Sequence, residues 1–401
     1  MKKMICLMIA VSMLLSFAAF GAHAEGKIVI FQQKTEIYDQ LVEMAKAYQA
    51  ETGVEVEVWP IAGDDYYQNL KTYLSNESGP TVFTLNSSTE IREMSGYLAD
   101  LSGLEVVPNF QNSMLAKVDG KVCGLPMTAE GFGIIYNKSM VKAEDLATMD
   151  QLIAFIAAEK EAGITGLGLS QEGYFLIGQI LNFPFAVKED PAEFCRKLYA
   201  GEVKLADEPA FQDLARLMVA IREYQTNPLE VSYDGNCGDF ATGKTAAIHQ
   251  GNWCYPMFSS YTLDFDIGMV GVPVAGSTAV SVGIPSFWFI NGDAPEEEQA
   301  LGRDFLNWFY GSPTGIDYQM NKFGFLPVAS GMESTSLDPI SASVAEAIAQ
   351  GNIIDWTFNT DWPAGVIMND LVPVAEEFFT TQMSGEDLLN ALTDAFVTAA
   401  N

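Results

Sequence analysis

Apolar residues recur along this chain with two alternating periods. Lys27-Ile-Val-Ile-Phe31 is a short β-branched run suited to a buried strand, and residues 36–49 then carry Ile37, Leu41, Met44, Ala45 and Tyr48 at helical spacing. Gly53 ends that helix, and residues 54–59 alternate as a strand does. A helix over 64–74, a strand over 81–85 opened by Pro80 and a helix over 87–97 continue the series. Strand alternating with helix predicts an α/β fold of βαβ units around a mostly parallel sheet. Further on, the run from Phe240 to Trp253 passes through a Gly243-Lys244 corner into small apolar residues that read as a short buried strand. It ends at Gly251-Asn252-Trp253, where glycine frees the backbone and a flat apolar ring follows. On composition alone Trp253 is a core tryptophan at a strand end. No internal repeat, low-complexity tract or Pro-rich linker interrupts the series.

The first residues depart from this pattern. Met1-Lys2-Lys3 is positively charged, residues 4–20 are apolar apart from single serines, and Ala22-His23-Ala24 offers a small-x-small cleavage site. Those three parts predict a secretory signal peptide over 1–24 and an exported chain starting near Glu25. Cys6 sits at the start of the apolar run rather than at the cleavage point, so no lipid anchor is expected. No later run approaches the roughly 20 apolar residues needed to span a bilayer.

At 401 residues the chain exceeds what one core usually supports, and two lobes are the expectation. Loss of Lys2 and Lys3 with the leader leaves 19 basic residues against 52 acidic ones. Such a charge argues against nucleic acid and anionic membranes, whose phosphates it would repel. It is compatible with a cationic ligand, although carboxylates scattered over helix faces for solubility explain it more simply. Cys123, Cys195, Cys237 and Cys254 show no disulfide framework or zinc spacing; Cys237 and Cys254 are the best-placed pair if any forms. His249 is the only histidine left after processing, which removes multi-histidine metal sites and leaves a structural role as its simplest reading. No cofactor is expected.

The phenylalanine, glycine, lysine and final Gly-x-Trp of 240–253 resemble the segment found in solute-binding proteins of carbohydrate ABC importers. Other fragments resemble the same family, in its order. They are Tyr48-Gln-Ala-Glu-Thr-Gly-Val-Glu-Val-Glu-Val58; Gly79-Pro-Thr-Val-Phe83, with Thr81 where an aspartate is usual; and Gly120-Lys-Val-Cys-Gly-Leu-Pro126 followed by Ile134-Ile-Tyr-Asn-Lys138. Gln171-Glu-Gly-Tyr-Phe175 resembles the sugar-contacting segment of the maltose-binding branch, and Phe305-Leu-Asn-Trp-Phe-Tyr310 and Gly324-Phe-Leu-Pro-Val328 complete the series. The resemblance implies the two-lobed periplasmic-binding-protein fold of type II, with three interlobe crossings near 130–136, 274–285 and 327–331. Lobe one would combine 27–132 with 284–328, and lobe two 136–276 with 331–401. The ligand would lie between the lobes, outside the carboxyl ends of the strands, and hinge closure would enclose it.

A pyranose presents an apolar C–H face and a rim of hydroxyls, so rings cover the face while carboxylates, amides and hydroxyls bond the rim. By resemblance Trp253 is the stacking ring, Glu130 a rim acceptor at the first crossing, and Glu172 and Tyr174 contacts from the second lobe. Ser87 and Ser88 follow the third strand and Gln32 and Gln33 the first, at positions where the family places ligand contacts. Trp362 corresponds to a late cleft aromatic, with Trp356 as the alternative. Core packing is the simpler assignment for Trp288, while Tyr66 and Tyr67 either line the cleft mouth or cap the lobe. Gln32-Gln33 and Thr84 stand where maltose binders often carry a charged and an aromatic residue, so maltose specificity does not transfer. The expectation is a monomeric binding protein, not an enzyme, with a carbohydrate ligand and ABC permease subunits as partners. The alternatives are a binder of a polyamine or other cationic solute, and an exported glycoside hydrolase using Glu130 and Glu172.

Overall fold

The computed structural model describes residues 26–59, 65–76 and 79–400, so the expected leader over 1–24 lies outside the described residues. Two six-stranded sheets form the frame. The first contains β1 (Lys27–Phe31), β2 (Glu55–Trp59), β3 (Val82–Leu85), β4 (Ala116–Val118), β5 (Lys121–Pro126) and β11 (Phe287–Ile290), in the order β2-β1-β3-β11-β5-β4. The second runs β12-β10-β6-β8-β7, from β6 (Glu130–Asn137), β7 (Thr165–Gly168), β8 (Thr245–Gly251), β10 (Val280–Gly283) and β12 (Ile353–Asp355), while β9 (Ile267–Val270) pairs with the far half of β6. The fold is mixed α/β, with buried apolar clusters on both faces of each sheet.

Local sequence explains the elements that carry the cleft. The helix Tyr38–Thr52 buries Leu41, Met44, Ala45 and Tyr48, and ends where Gly53 takes a left-handed φ of 82°, which only glycine adopts without steric penalty. Parallel pairing holds for β2-β1-β3, as the strand–helix alternation predicts. It does not extend across the sheet. β11 runs antiparallel to both β3 and β5, because the chain re-enters this sheet from the other one rather than through a crossover helix. The second sheet is mixed for the same reason: β6, its central strand, is antiparallel to β8, β9 and β10.

The chain passes between the sheets at 127–129 and returns at 284–286. By the helix Pro339–Gln350, which packs on the second sheet, it has left the first again. Glu130 already opens β6 opposite Gly283, so the strand ends put the first passage just ahead of 130–136. Close approach of β9 to β6 depends on Gly133, where a Cβ would sit 2.2 Å from the Val270 carbonyl oxygen.

A cleft between the two sheets

The strands aim a set of loops and helix starts into one cleft of about 420 Å³. From the first sheet come Gln33 to Glu36 after β1, Tyr67 at the start of the helix Tyr66–Leu74, and Asn86, Ser87 and Glu90 after β3. From the second come Glu130, Glu172, Tyr174 and Phe175 beyond β7, Trp253 after β8, and Trp356 and Phe358 after β12. Apart from Glu130, which opens the antiparallel β6 at the same edge, both groups follow the carboxyl ends of parallel strands, where open α/β sheets leave their crevice.

Trp253 forms the centre of the aromatic wall. Its ring lies 6.2 Å from Phe175 at an interplanar angle of 15°, and edge-on to Trp356 at 6.4 Å. Its Nε1 donates to the Gln250 Oε1 at 3.0 Å, which fixes the ring's orientation. Gly251 earns its place differently from the sequence expectation. Its backbone is extended (φ −119°, ψ 179°), and the ring of Trp253 lies back over its α-carbon, 2.1 Å from where a Cβ would be. Close approach, not a special turn, demands the glycine. Asn252 ties this corner down, accepting from the Gly131 N–H at 3.0 Å and donating to the Ser341 hydroxyl at 3.2 Å.

Polar groups face the rings. Glu172 and Tyr174, expected as contacts from the second lobe, are among the residues that line the cleft. One carboxylate oxygen of Glu172 accepts from the Tyr233 N–H at 2.9 Å, at the start of the helix Tyr233–Ala241. Its other oxygen is buried without a hydrogen-bond partner among the described residues, as are the Tyr233 hydroxyl and the carbonyl oxygens of Asn86 and Gln179, all in the cleft lining. Tyr174 and Phe175 belong to a π-helical turn, Tyr174–Gly178, and Met368 and Asn369 of the lining to another, Ile367–Leu371. Single π turns of this kind recur at functional sites.

Ser87 also lines the cleft, but its hydroxyl is engaged: it accepts from the Glu90 N–H at 3.1 Å as the cap of the helix Ser88–Glu93. Ser88 opens that helix and is not part of the lining. Gln33 faces the cleft while Gln32 is buried, its amide donating to the Lys34 carbonyl oxygen at 3.0 Å to hold the turn after β1. Trp362 is also in the core, 5.0 Å from both Phe185 and Phe396, because the chain turns inward before Pro363. Trp356 takes the cleft position instead, with Phe358 stacked on it at 5.3 Å. Tyr66 is buried, bonded to the carbonyl oxygens of Phe31 and Thr84, whereas Tyr67 lines the cleft and donates to Glu93 at 2.7 Å.

Several cleft residues escape the sequence reading. Lys34 places its Nζ 2.8 Å from a carboxylate oxygen of Glu130 and 2.8 Å from one of Glu36, joining the two sheets by a buried ion pair. Burial pulls the Lys34 ammonium toward neutrality, but the two carboxylates outweigh it and hold its pKa above the usual lysine value. Burial raises Glu130 against the opposing charge of Lys34. The two shifts pull opposite ways on the pair, and the 2.8 Å contacts of one ammonium with both carboxylates favour the ionised state. Glu90 is buried in the lining, and burial pushes its carboxyl up to about 7 even though the Asn86 and Ser87 backbone groups bond to it. Its signal in the sequence was the Ser87-Ser-Thr-Glu90 spacing, a capping box just before a helix.

Residues 43–350 match the family described as bacterial extracellular solute-binding protein. The chain belongs to that family. The multiple sugar-binding protein of Streptococcus mutans is 25% identical over 265 residues, covering 62% of this binding protein and 63% of that relative's length. Among solved structures, the solute-binding protein RafE in complex with raffinose is 20% identical, with a TM-score of 0.76 over 94% of this chain and all of the other. A Bacillus licheniformis sugar transporter in complex with stachyose is 16% identical, with a TM-score of 0.75 over 93% of this chain and 100% of its own. The binding protein thus shares the two-lobed fold of these structures. No helix among its described residues is long and apolar enough to cross a membrane.

Proposed function

We propose that this protein is an exported, monomeric capture protein that closes on a neutral oligosaccharide and hands it to an ABC permease. The observation that carries the reading is the pairing of a ring wall (Phe175, Trp253, Trp356, Phe358) with unpartnered buried oxygens of Glu172, Asn86 and Gln179 in one cleft. Rings suit the C–H faces of pyranoses, and buried acceptors call for donors, which sugar hydroxyls supply. The sugars named in the relatives, raffinose and stachyose, are neutral oligosaccharides of this kind. The binding energy would be shared between contacts and closure of the lobes, 27–132 with 284–328 against 136–276 with 331–401, so a micromolar affinity, about −8 kcal/mol, is expected.

A polyamine ligand would need several free carboxylates, whereas Lys34 already neutralises Glu130 and Glu36 and burial pushes Glu90 up to about 7, which leaves Glu172 and Asp65 for its ammonium groups. A glycoside hydrolase would need two carboxyls turned on one bond, whereas Glu130 is held by Lys34 and Glu172 anchors the start of a helix. Thermal shift of the mature protein with raffinose, stachyose, chitin oligosaccharides, spermidine and sugar phosphates tests the reading, since a ligand of the native state raises the melting temperature. Stabilisation by neutral oligosaccharides alone is expected. Stabilisation by spermidine and by no carbohydrate would overturn it, and steady release of reducing ends would assign the cleft to hydrolysis.

A further inference from the structure

Behind the ring wall lie two thiols that the binding site does not use. Cys237 sits mid-way along the helix Tyr233–Ala241 and Cys254 one residue past Trp253 in the turn Asn252–Ser260. Both are essentially inaccessible, at 1% and 0% exposure, in one apolar cluster with Phe240, Ile248 and Phe258. The helix and the turn pack directly on each other there, with the rings of Phe240 and Phe258 5.5 Å apart, and burial together with the nearby Cys237 pushes the Cys254 thiol up. The other two thiols are kept apart from this pair and from each other. Cys123 donates to the Ala116 carbonyl oxygen at 3.4 Å in the first sheet, and Cys195 contacts Tyr199 on an outer helix of the second lobe.

We propose that Cys237 and Cys254 are a modification site: in an oxidising compartment they close to a disulfide that cross-links the wall of the ligand cleft. The four thiols are free in this structure, which therefore describes the reduced partner of that couple. Formation is a thiol–disulfide exchange. A thiolate of one cysteine attacks a disulfide oxidant, either oxidised glutathione or a protein disulfide, and releases one of its sulfurs as a thiol. The second cysteine then displaces the other, so that two protein thiols are oxidised by two electrons, the oxidant leaves as two thiols and no proton is unaccounted for. Burial holds the Cys254 thiol protonated and unreactive in the folded state, so exchange belongs to the folding chain, before the cluster closes.

The placement gives the cross-link a consequence for binding. The helix that carries Cys237 begins at Tyr233, whose N–H holds Glu172 and whose hydroxyl faces the cleft. The turn that carries Cys254 presents Trp253. One covalent bond would therefore fix the stacking ring relative to the rim acceptor across a 17-residue spacing. Cross-linking of this kind works mainly by restricting the open and unfolded chain.

The full-length mature protein, equilibrated with oxidised glutathione during refolding, is denatured, alkylated without reductant and mapped by peptide mass. The expected result is one cross-linked pair, Cys237 with Cys254, with Cys123 and Cys195 alkylated. Four alkylated cysteines, or glutathione left on Cys237 or Cys254, would overturn the proposal. Hydrogen exchange of the oxidised and reduced protein supplies a second reading. Slower exchange in the Tyr233–Ala241 helix and the Asn252–Ser260 turn of the oxidised form is expected, and the difference must vanish in the Cys237→Ser/Cys254→Ser variant. Identical exchange in the two forms would show that a bond, if formed, does not brace the cleft. Neither assay needs a sugar, so this proposal stands or fails apart from the carbohydrate reading.

Discussion

Trp253 and Glu90 show how two cleft residues reach opposite properties through burial. Trp253 is half-buried, with one face packed on Phe175 and Gly251 and the ring edge open to the cleft. On the proposed reading, replacing it by alanine removes an apolar surface that an oligosaccharide would cover, so affinity should fall by about 1–3 kcal/mol while the fold survives. Calorimetric titration of Trp253→Ala checks this, and unchanged affinity would remove the ring from the site. Glu90 holds its proton up to about 7 because its carboxyl is taken out of water. The folded pKa lies above the ordinary 4.5, so its contribution to stability is complete below 4.5 and is lost as pH rises toward 7. His249 acts in the reverse sense: burial between Phe132 and Phe183 holds it down to about 3, and its contribution, complete above the ordinary 6.5, is lost as pH falls. Glu90→Gln should therefore remove a loss of stability between pH 4.5 and 7 and raise the melting temperature most above pH 7. Melting curves from pH 4 to 8 against the parent protein isolate that slope from the histidine's.

Among the elements, the cleft aromatics after β12 depend on one buried amide. Asn182 donates to the Ser281 hydroxyl at 2.9 Å and to the Asp355 carbonyl oxygen at 3.0 Å, and accepts from both the N–H and the hydroxyl of Thr357. All four of its hydrogen-bonding positions are filled, and they fix the segment that bears Trp356 and Phe358. Asn182→Ala leaves buried donors unpaired and should destabilise the protein by about 1–3 kcal/mol in denaturant titrations, while weakening ligand binding. Elements of this kind divide what was legible in the sequence from what was not. Periodicity located β1, the helix after it, β2, β3 and the run into Trp253, because each is governed by nearest neighbours in the chain. The antiparallel placement of β11 and the interchange of Trp356 with Trp362 were not legible, since both follow from packing against segments distant in the sequence. Trp362 is core because Phe185 and Phe396 surround it, and neither is near it in sequence. Lys34 was missed for the same reason: only the fold brings Glu130 to it.

At the scale of the whole molecule, a buried ion pair and a hydrogen bond between described residues join the sheets across the cleft. Lys34 bonds Glu130, and the Thr89 hydroxyl donates to the Trp362 carbonyl oxygen at 3.2 Å. Lys34→Met would leave Glu130 and Glu36 buried beside each other without their cation, and a loss of about 3–5 kcal/mol in denaturant unfolding is expected. Removal of an exposed charge such as Lys117 should cost far less. The order of strands in the first sheet reaches beyond binding. β11 lies between β3 and β5, yet it is drawn from residues 287–290, more than 150 residues after its neighbours. A chain crossing a membrane amino end first presents β1 to β5 with a gap down the middle of their sheet. Unpaired strand edges flank that gap until almost three quarters of the polypeptide has followed. The first sheet is the earliest to be delivered, yet it stays open until β11 arrives, so its half-built edges invite aggregation over that interval. An exported chain with this strand order has to keep its amino-terminal half soluble while incomplete, a demand separate from what the finished cleft holds.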